Sequence, residues 1–207
     1  MAEEQELSVQ EIAELRDRWK TEVGLRVKKQ LLLALRNGDD SWPNLLSQLP
    51  NVGVAAPYPE ALDDLRGLDL CEERLERVSL THSDLSFASF HLCNLTKARF
   101  QYSKLSWAQF SRSNLTSADL LQVTADHGRF DRCSLRGAMM MTSNFRHGSF
   151  KGSDLRSSVL NGCDFRDCDL ADVKLKGAEA YSVKVPPSFD LESHLTNSAG
   201  PSQPEPQ

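Results

Sequence analysis

From Leu65 to Ala180 every fifth residue is Leu, Phe or Met, with Ala125 and Ala180 as the two departures. These 24 pentads follow one another without an insertion or deletion. A helix repeats its faces every 3.6 residues and a strand every 2, so a period of five belongs to neither. Two residues before each large residue stands a small one in most pentads, as in Ser83, Ala88, Cys93, Ala98, Ser103, Ala108, Ser113, Ala118, Gly128, Cys133 and Ala138. Residues two apart in extended chain point to the same side, so the small residue and the large centre both face inward. The residue between them faces outward, where Asp84, Asn94, Arg99, Lys104, Asn114 and Asp119 stand. The remaining two positions must turn the chain. Gly67, Gly137, Gly152, Gly162 and Gly177 fall at the second of them, where a turn can demand positive φ. Corners that always bend the same way wind the chain into an all-β solenoid.

The number of faces per coil follows from sorting the centres. At intervals of twenty, one column is Leu75, Leu95, Leu115, Leu135, Leu155 and Leu175, and another carries Phe90, Phe110, Phe130 and Phe150. Intervals of fifteen mix Leu with Phe in every column. Like residues stack best on like, so four pentads close one coil, about six coils result, and each stacks on the next at roughly 4.8 Å.

The flanks obey a different rhythm. Ser8 with Glu11 forms a capping box. Ile12, Leu15, Trp19, Val23, Val27, Leu31 and Leu35 then recur at helical steps until Gly38, with Gly24 as a candidate break. Ser41 is positioned to cap a second short helix through about Leu49, with Pro43 in its first turn. The expected organisation is an N-terminal helical segment and linker over 1–60, the solenoid over 61–182, a C-terminal cap over 183–195 and a disordered tail over 196–207. Open solenoid ends expose core and need covering. The N-terminal helices suit one end; Val183, Val185, Phe189 and Leu191 suit the other.

Ala118-Asp119-Leu120, Ser153-Asp154-Leu155 and Cys163-Asp164-Phe165 resemble the pentapeptide-repeat family, whose consensus is A(D/N)LXX. The resemblance covers about 120 residues and implies a right-handed quadrilateral β-helix. It also implies a functional alternative, because one class in the family imitates duplex DNA to protect type II topoisomerases such as DNA gyrase.

Charge argues against that alternative. A duplex carries one negative charge per roughly 1.7 Å of axis. Residues 63–182 instead carry equal numbers of acidic and basic side chains, although the whole chain has a net charge of -5. Direct nucleic-acid binding is not expected. No apolar run is long enough to span a membrane, and the acidic start Met-Ala-Glu-Glu-Gln-Glu does not read as a signal peptide, so a cytoplasmic location is expected.

Chemistry is sparse. Cys93, Cys133, Cys163 and Cys168 occupy small inward slots, and Cys71 alone faces out. Their spacing matches neither a zinc site nor a redox pair, and disulfides are not expected. His127, His147 and Asp167 share one corner position on successive coils, continuous with Phe87 and Trp107. Stacked imidazoles could hold a metal, but no fourth ligand is evident, and a solvated polar ladder accounts for the pattern. No nucleophile and base stand together, so no enzymatic activity and no cofactor are expected. Leu121, Met139, Met141 and Val159 are apolar at outward positions and gather on the face of Leu120, Met140 and Leu160. Such patches mark interfaces. These four residues, with Phe87 and Trp107 as a second candidate, point to a protein-interaction module with a protein partner, a second copy of the chain included.

Overall fold

The computed structural model describes residues 7–50, 52 and 62–196. Most of the Pro-rich connection and the whole tail beyond Thr196 lie outside those residues.

Helix α1 spans Val9–Asp17. Its capping box is complete: Ser8 Oγ accepts from the Glu11 amide at 3.2 Å, and the Glu11 carboxylate accepts from the Ser8 amide at 2.8 Å. A 3-10 turn, Arg18–Lys20, follows, and helix α2 spans Glu22–Asn37. The break expected at Gly24 falls three residues earlier, because Thr21 is extended and its Oγ1 accepts from the Gly24 amide at 3.0 Å. Gly24 serves a close approach instead, since a Cβ there would stand 2.1 Å from the Arg18 carbonyl oxygen. Gly38 ends α2 in the left-handed region, as expected of a C-cap. Residues Trp42–Gln48 form a 3-10 helix, and Ser41 gives it no side-chain cap. That hydroxyl donates to Asp39 Oδ1 instead, at 2.7 Å.

The solenoid is built on parallel bridges that join each outward residue to the one twenty positions later. They run from Asp64↔Asp84 to Asp164↔Lys184, and at the first coil the inward pair Asp63↔Ser83 is bridged as well. Four pentads therefore make one coil. Only two strands exceed a single bridge, β1 (Asp63–Asp64) and β2 (Ser83–Asp84), because each extended face is three residues long before the chain turns. Every second corner residue from Gly67 to Ser182 has positive φ, between 52° and 74°. The left-handed corner is thus universal, while glycine fills only a few. A side chain there costs about 1–2 kcal/mol, which the ladder must offset at each corner. The ladder meets that cost with regular backbone hydrogen bonds. Centre amides donate to the next coil, as from Leu95 to the Asn114 carbonyl, and outward amides donate back, as from Asn94 to Glu73. Most turns also close on themselves, as from the Cys93 amide to the Phe90 carbonyl.

Inside, the centres stack as the column sort predicts. Phe90, Phe110, Phe130 and Phe150 are fully buried and lie nearly parallel, with centroids 4.7, 4.9 and 4.8 Å apart. Phe145 meets Phe130 and Phe150 edge-on. Asp84 departs from expectation: it keeps the outward register between Asp64 and Lys104, yet is only 7% exposed. It accepts from the Ser86 amide, which is equally covered.

The helices close the first coil. Trp19, Val27, Leu31, Leu35 and Trp42 join the same apolar cluster as Leu65, Leu68 and Leu70. Arg18 reaches Asp64 through two hydrogen bonds of 2.9 and 2.8 Å, and Trp19 Nε1 donates to the Arg66 carbonyl at 2.9 Å. At the other end, helix α3 (Leu191–Thr196) and Val183, Val185 and Phe189 pack on the last coil. No helix among the described residues is long and apolar enough to cross a membrane.

Candidate protein-interaction surface

The four apolar outward residues come together as the register dictates. Met139 and Val159 are bridged directly, between Asp119 below and Glu179 above. Leu121 and Met141 stack one coil apart at the neighbouring corner, where the amides of Tyr102 and Gln122 hold their carbonyls at 3.1 and 3.0 Å. Met139 is 41% exposed, and the other three are half-buried. The patch is therefore shallower than four free side chains would make it. In the parallel register each of them has a neighbour one coil, about 4.8 Å, away.

The structure adds a residue that the repeat pattern hid. Tyr181 continues the Leu121–Met141 column beyond Asn161, and it is 80% exposed. It is the corner residue after the last centre, Ala180, and polar Asn161 separates it from Met141 in that column. On the other flank, Arg136, Arg156 and Lys176 form the column that precedes Met139 and Val159 around the corner. Arg156 is committed to Asp154, at 2.8 and 2.6 Å. The guanidinium holds that carboxyl below its usual value against the opposing effect of burial.

Phe87 and Trp107 lie on a different corner. They stack at 6.5 Å, Trp107 stacks on His127 at 4.0 Å, and His127 on His147 at 5.0 Å. Asp167 follows, 3.8 Å from His147 Nδ1 and 3.2 Å from Arg146. A second stack, His82 on Tyr102 at 5.0 Å, occupies the adjacent corner and was not anticipated. Its signal was present in the sequence, as two rings twenty residues apart. Among the described residues, no group of three His, Cys, Asp or Glu side chains stands in a metal-holding arrangement.

The inward cysteines do more than fill space. Cys93, Cys133, Cys163 and Cys168 donate to the carbonyls of Leu70, Phe110, Met140 and Phe145 at 2.7–2.8 Å. Ser103 and Ser143 make the equivalent bond from the same slot. Burial pushes all four thiols up to about 12, so they remain protonated and unreactive. Cys71, at a corner, is pushed up to about 11, by desolvation first and Asp69 second.

Comparison with known proteins agrees with this architecture. The family model for pentapeptide repeats matches eight copies, over residues 64–96, 93–137 and 149–182. Together these exceed half of the chain. No curated protein matches the sequence. Solved structures that match include QnrB1, a plasmid-mediated fluoroquinolone resistance protein, at 17% identity and a TM-score of 0.41. That match covers 57% of this chain and 68% of the other. HetL, a pentapeptide repeat protein involved in heterocyst differentiation regulation in the cyanobacterium Nostoc, is 14% identical over 59% of this chain and 85% of its own, with a TM-score of 0.21. A pentapeptide repeat protein of the Arabidopsis thaliana thylakoid lumen is 18% identical over 59% and 77%, with a TM-score of 0.26.

Proposed function

The chain belongs to the pentapeptide-repeat family, and we propose that its rod, a right-handed β-helix of about six coils, is a non-enzymatic protein-interaction module of the cytoplasm. One observation carries the reading. The cluster of Leu121, Met139, Met141, Val159 and Tyr181 leaves apolar surface in water at positions where the repeat elsewhere places Asp, Asn, Ser, Thr or Arg. Burying such side chains is worth about 1.5–3 kcal/mol each when complete, so a partner that covers them gains affinity there. A rigid backbone adds to this, because the partner need not order the surface it binds.

Affinity capture with two baits tests the proposal. The variant Met141→Lys with Val159→Lys keeps every inward residue and should fold as the wild type does. A partner held by the wild type and released by the variant supports the module. Identical captured sets would overturn it. Light scattering on both proteins asks the same question of self-pairing: a homodimer through this face becomes a monomer in the variant.

Imitation of duplex DNA is the weaker reading. No outward or corner column carries acids on successive coils throughout: Asp64 and Asp84 give way to Lys104, and Asp126 to Arg146 and Arg166. Purified protein should neither inhibit gyrase supercoiling nor relieve a quinolone block. Inhibition at low micromolar concentration would reverse this ranking.

A further inference from the structure

Resting on the reading of this face as an interface, we infer that the partner docks there through an acidic segment that also carries apolar side chains. The apolar column of Met139 and Val159 has two unlike borders. On one side stand Leu121, Met141, Asn161 and Tyr181, followed by Gln122, Thr142 and Gly162, with no charge among them. On the other stand Arg136, Arg156 and Lys176. Between the basic column and the apolar one run Ser117, Gly137, Ser157 and Gly177, all small. A Cβ built on Gly137 meets only Ser117 Oγ, at 3.6 Å, and one on Gly177 only Ser157 Oγ, at 3.8 Å. The floor between the two columns is therefore low, and a docked segment can touch both.

The charges decide the partner's chemistry. Arg156 is paired with Asp154. Arg136 and Lys176 are exposed, and among the described residues neither side chain makes an ion pair or hydrogen bond, although the Arg136 charge also acts on Asp154. A segment that covers Met139 and Val159 also draws water away from these two cations. Desolvating them without a counter-charge opposes binding, whereas carboxylates beside the apolar side chains convert the same desolvation into attraction. A basic segment meets repulsion. Acids stand at the two ends of the apolar column rather than along its basic border, where Asp154 is taken up by Arg156. Asp119 accepts from Gln101 Nε2 and the Leu121 amide, and Glu179 sits at the far end of the apolar column. Nucleic acid fits less well, because it offers no aliphatic side chains to Met139, Val159, Leu121 and Met141, and two exposed cations neutralise few phosphates.

Three synthetic peptides with the same apolar residues, flanked by Glu, Ser or Lys, test this against the full chain by fluorescence anisotropy. The Glu peptide is expected to bind at least tenfold more tightly than the Lys peptide at low salt, with the gap closing as ionic strength rises. Arg136→Glu with Lys176→Glu should invert the order, and Met141→Lys with Val159→Lys should weaken all three. Equal binding of the three peptides, binding of none, or an order unchanged in the Arg136→Glu/Lys176→Glu variant would overturn the inference. So would a short DNA duplex that displaces the Glu peptide. The capture experiment is independent of these outcomes. Capture lost in Met141→Lys/Val159→Lys while the peptides show no charge preference leaves the interface standing and removes its acidic partner.

Discussion

The two ends of the rod solve one problem with very different means. At the N-terminal end, two α-helices and a 3-10 helix lie over the first coil, and Leu65, Leu68, Leu70, Leu75 and Leu80 beneath them are fully buried. The contact is polar as well as apolar. Arg18 and Arg66 both bind the Asp64 carboxylate, and the chain is so close that a Cβ on Gly67 would lie 2.9 Å from the Leu15 carbonyl. At the C-terminal end the cover is one six-residue helix and a short extended run. Val183, Val185, Phe189, Leu191 and Leu195 are only half-buried, and a cavity between them and the last coil is lined by Leu155, Phe165, Leu170 and Val173. A repeat array derives its stability from each unit and its neighbours. One end is thus anchored as part of the core, and the other is merely shielded, so opening should begin at the C-terminal coil.

The largest effect expected from breaking this asymmetry is at Trp19. Its ring is buried in the apolar cluster and its Nε1 serves the Arg66 carbonyl. Trp19→Ala should cost about 3–5 kcal/mol in denaturant unfolding. A cost below about 1 kcal/mol would mean that the helices rest on the rod without supporting it.

Acid should act on the same end. Burial alone would raise the Asp64 carboxyl, but hydrogen bonds from Arg66 and Arg18, with their charges, hold it well below the usual carboxylate range. A carboxyl lowered on folding stabilises the native state above its unfolded value of about 4. That stability is lost as pH falls through the folded value. Stability of the wild type should therefore decline below about pH 4, with part of the slope absent in Asp64→Asn. Parallel acid curves for the two proteins would remove Asp64 from the account of the N-terminal anchor.

At the shielded end the effects shrink. Phe189 is half-buried against the last coil and stacks at 4.4 Å on His194. Phe189→Ala should cost about 1–2 kcal/mol, measured in the same denaturant experiment. A loss equal to that of Trp19→Ala would show the two caps to be equivalent.

How much of this was legible depends on which residues obey the five-residue rule. The rod itself was, because every centre sits in one unbroken register and side-chain direction in extended chain turns that register into in, out and corner. The four-pentad coil was legible too, since Phe prefers to stack on Phe. The N-terminal anchor was not. Arg18 carries it, and in the sequence Arg18 is one charged residue beside an apolar stripe, with its partner Asp64 some 46 positions away. The helix break went to Gly24 because glycine is a weak helix former, whereas the actual determinant is the Thr21 hydroxyl, whose capping partner is the Gly24 amide itself. In the candidate surface, the apolar column followed from the register, but its depth did not. Outward direction fixes which way Met141 and Val159 point and says nothing of how far they lean on their neighbours. Tyr181 keeps the corner position of Leu121 and Met141, but polar Asn161 interrupts the column before it.

The smallest expected effect is also the most direct comparison, because both groups are read within one chain. The Gly67 amide donates to the Ser86 carbonyl at 2.9 Å within the anchored coil, and the equivalent Gly177 amide reaches the Leu195 carbonyl of the cap at 3.5 Å. Both glycines occupy the left-handed corner, so backbone preference is matched between them. What differs is the acceptor: a neighbouring coil held by the whole ladder in one case, the last turn of a six-residue helix in the other. Amide exchange reports the free energy of the opening that frees each group. Gly177 and its neighbours Lys176 and Ala178 should exchange through local opening of the cap, at rates that Phe189→Ala raises further. Gly67 should exchange only as its coil opens, and Phe189→Ala should leave it nearly unchanged. Equal protection at the two glycines, or a Phe189→Ala variant that accelerates both alike, would mean that the rod opens as one cooperative unit and that the difference between its ends is geometric only.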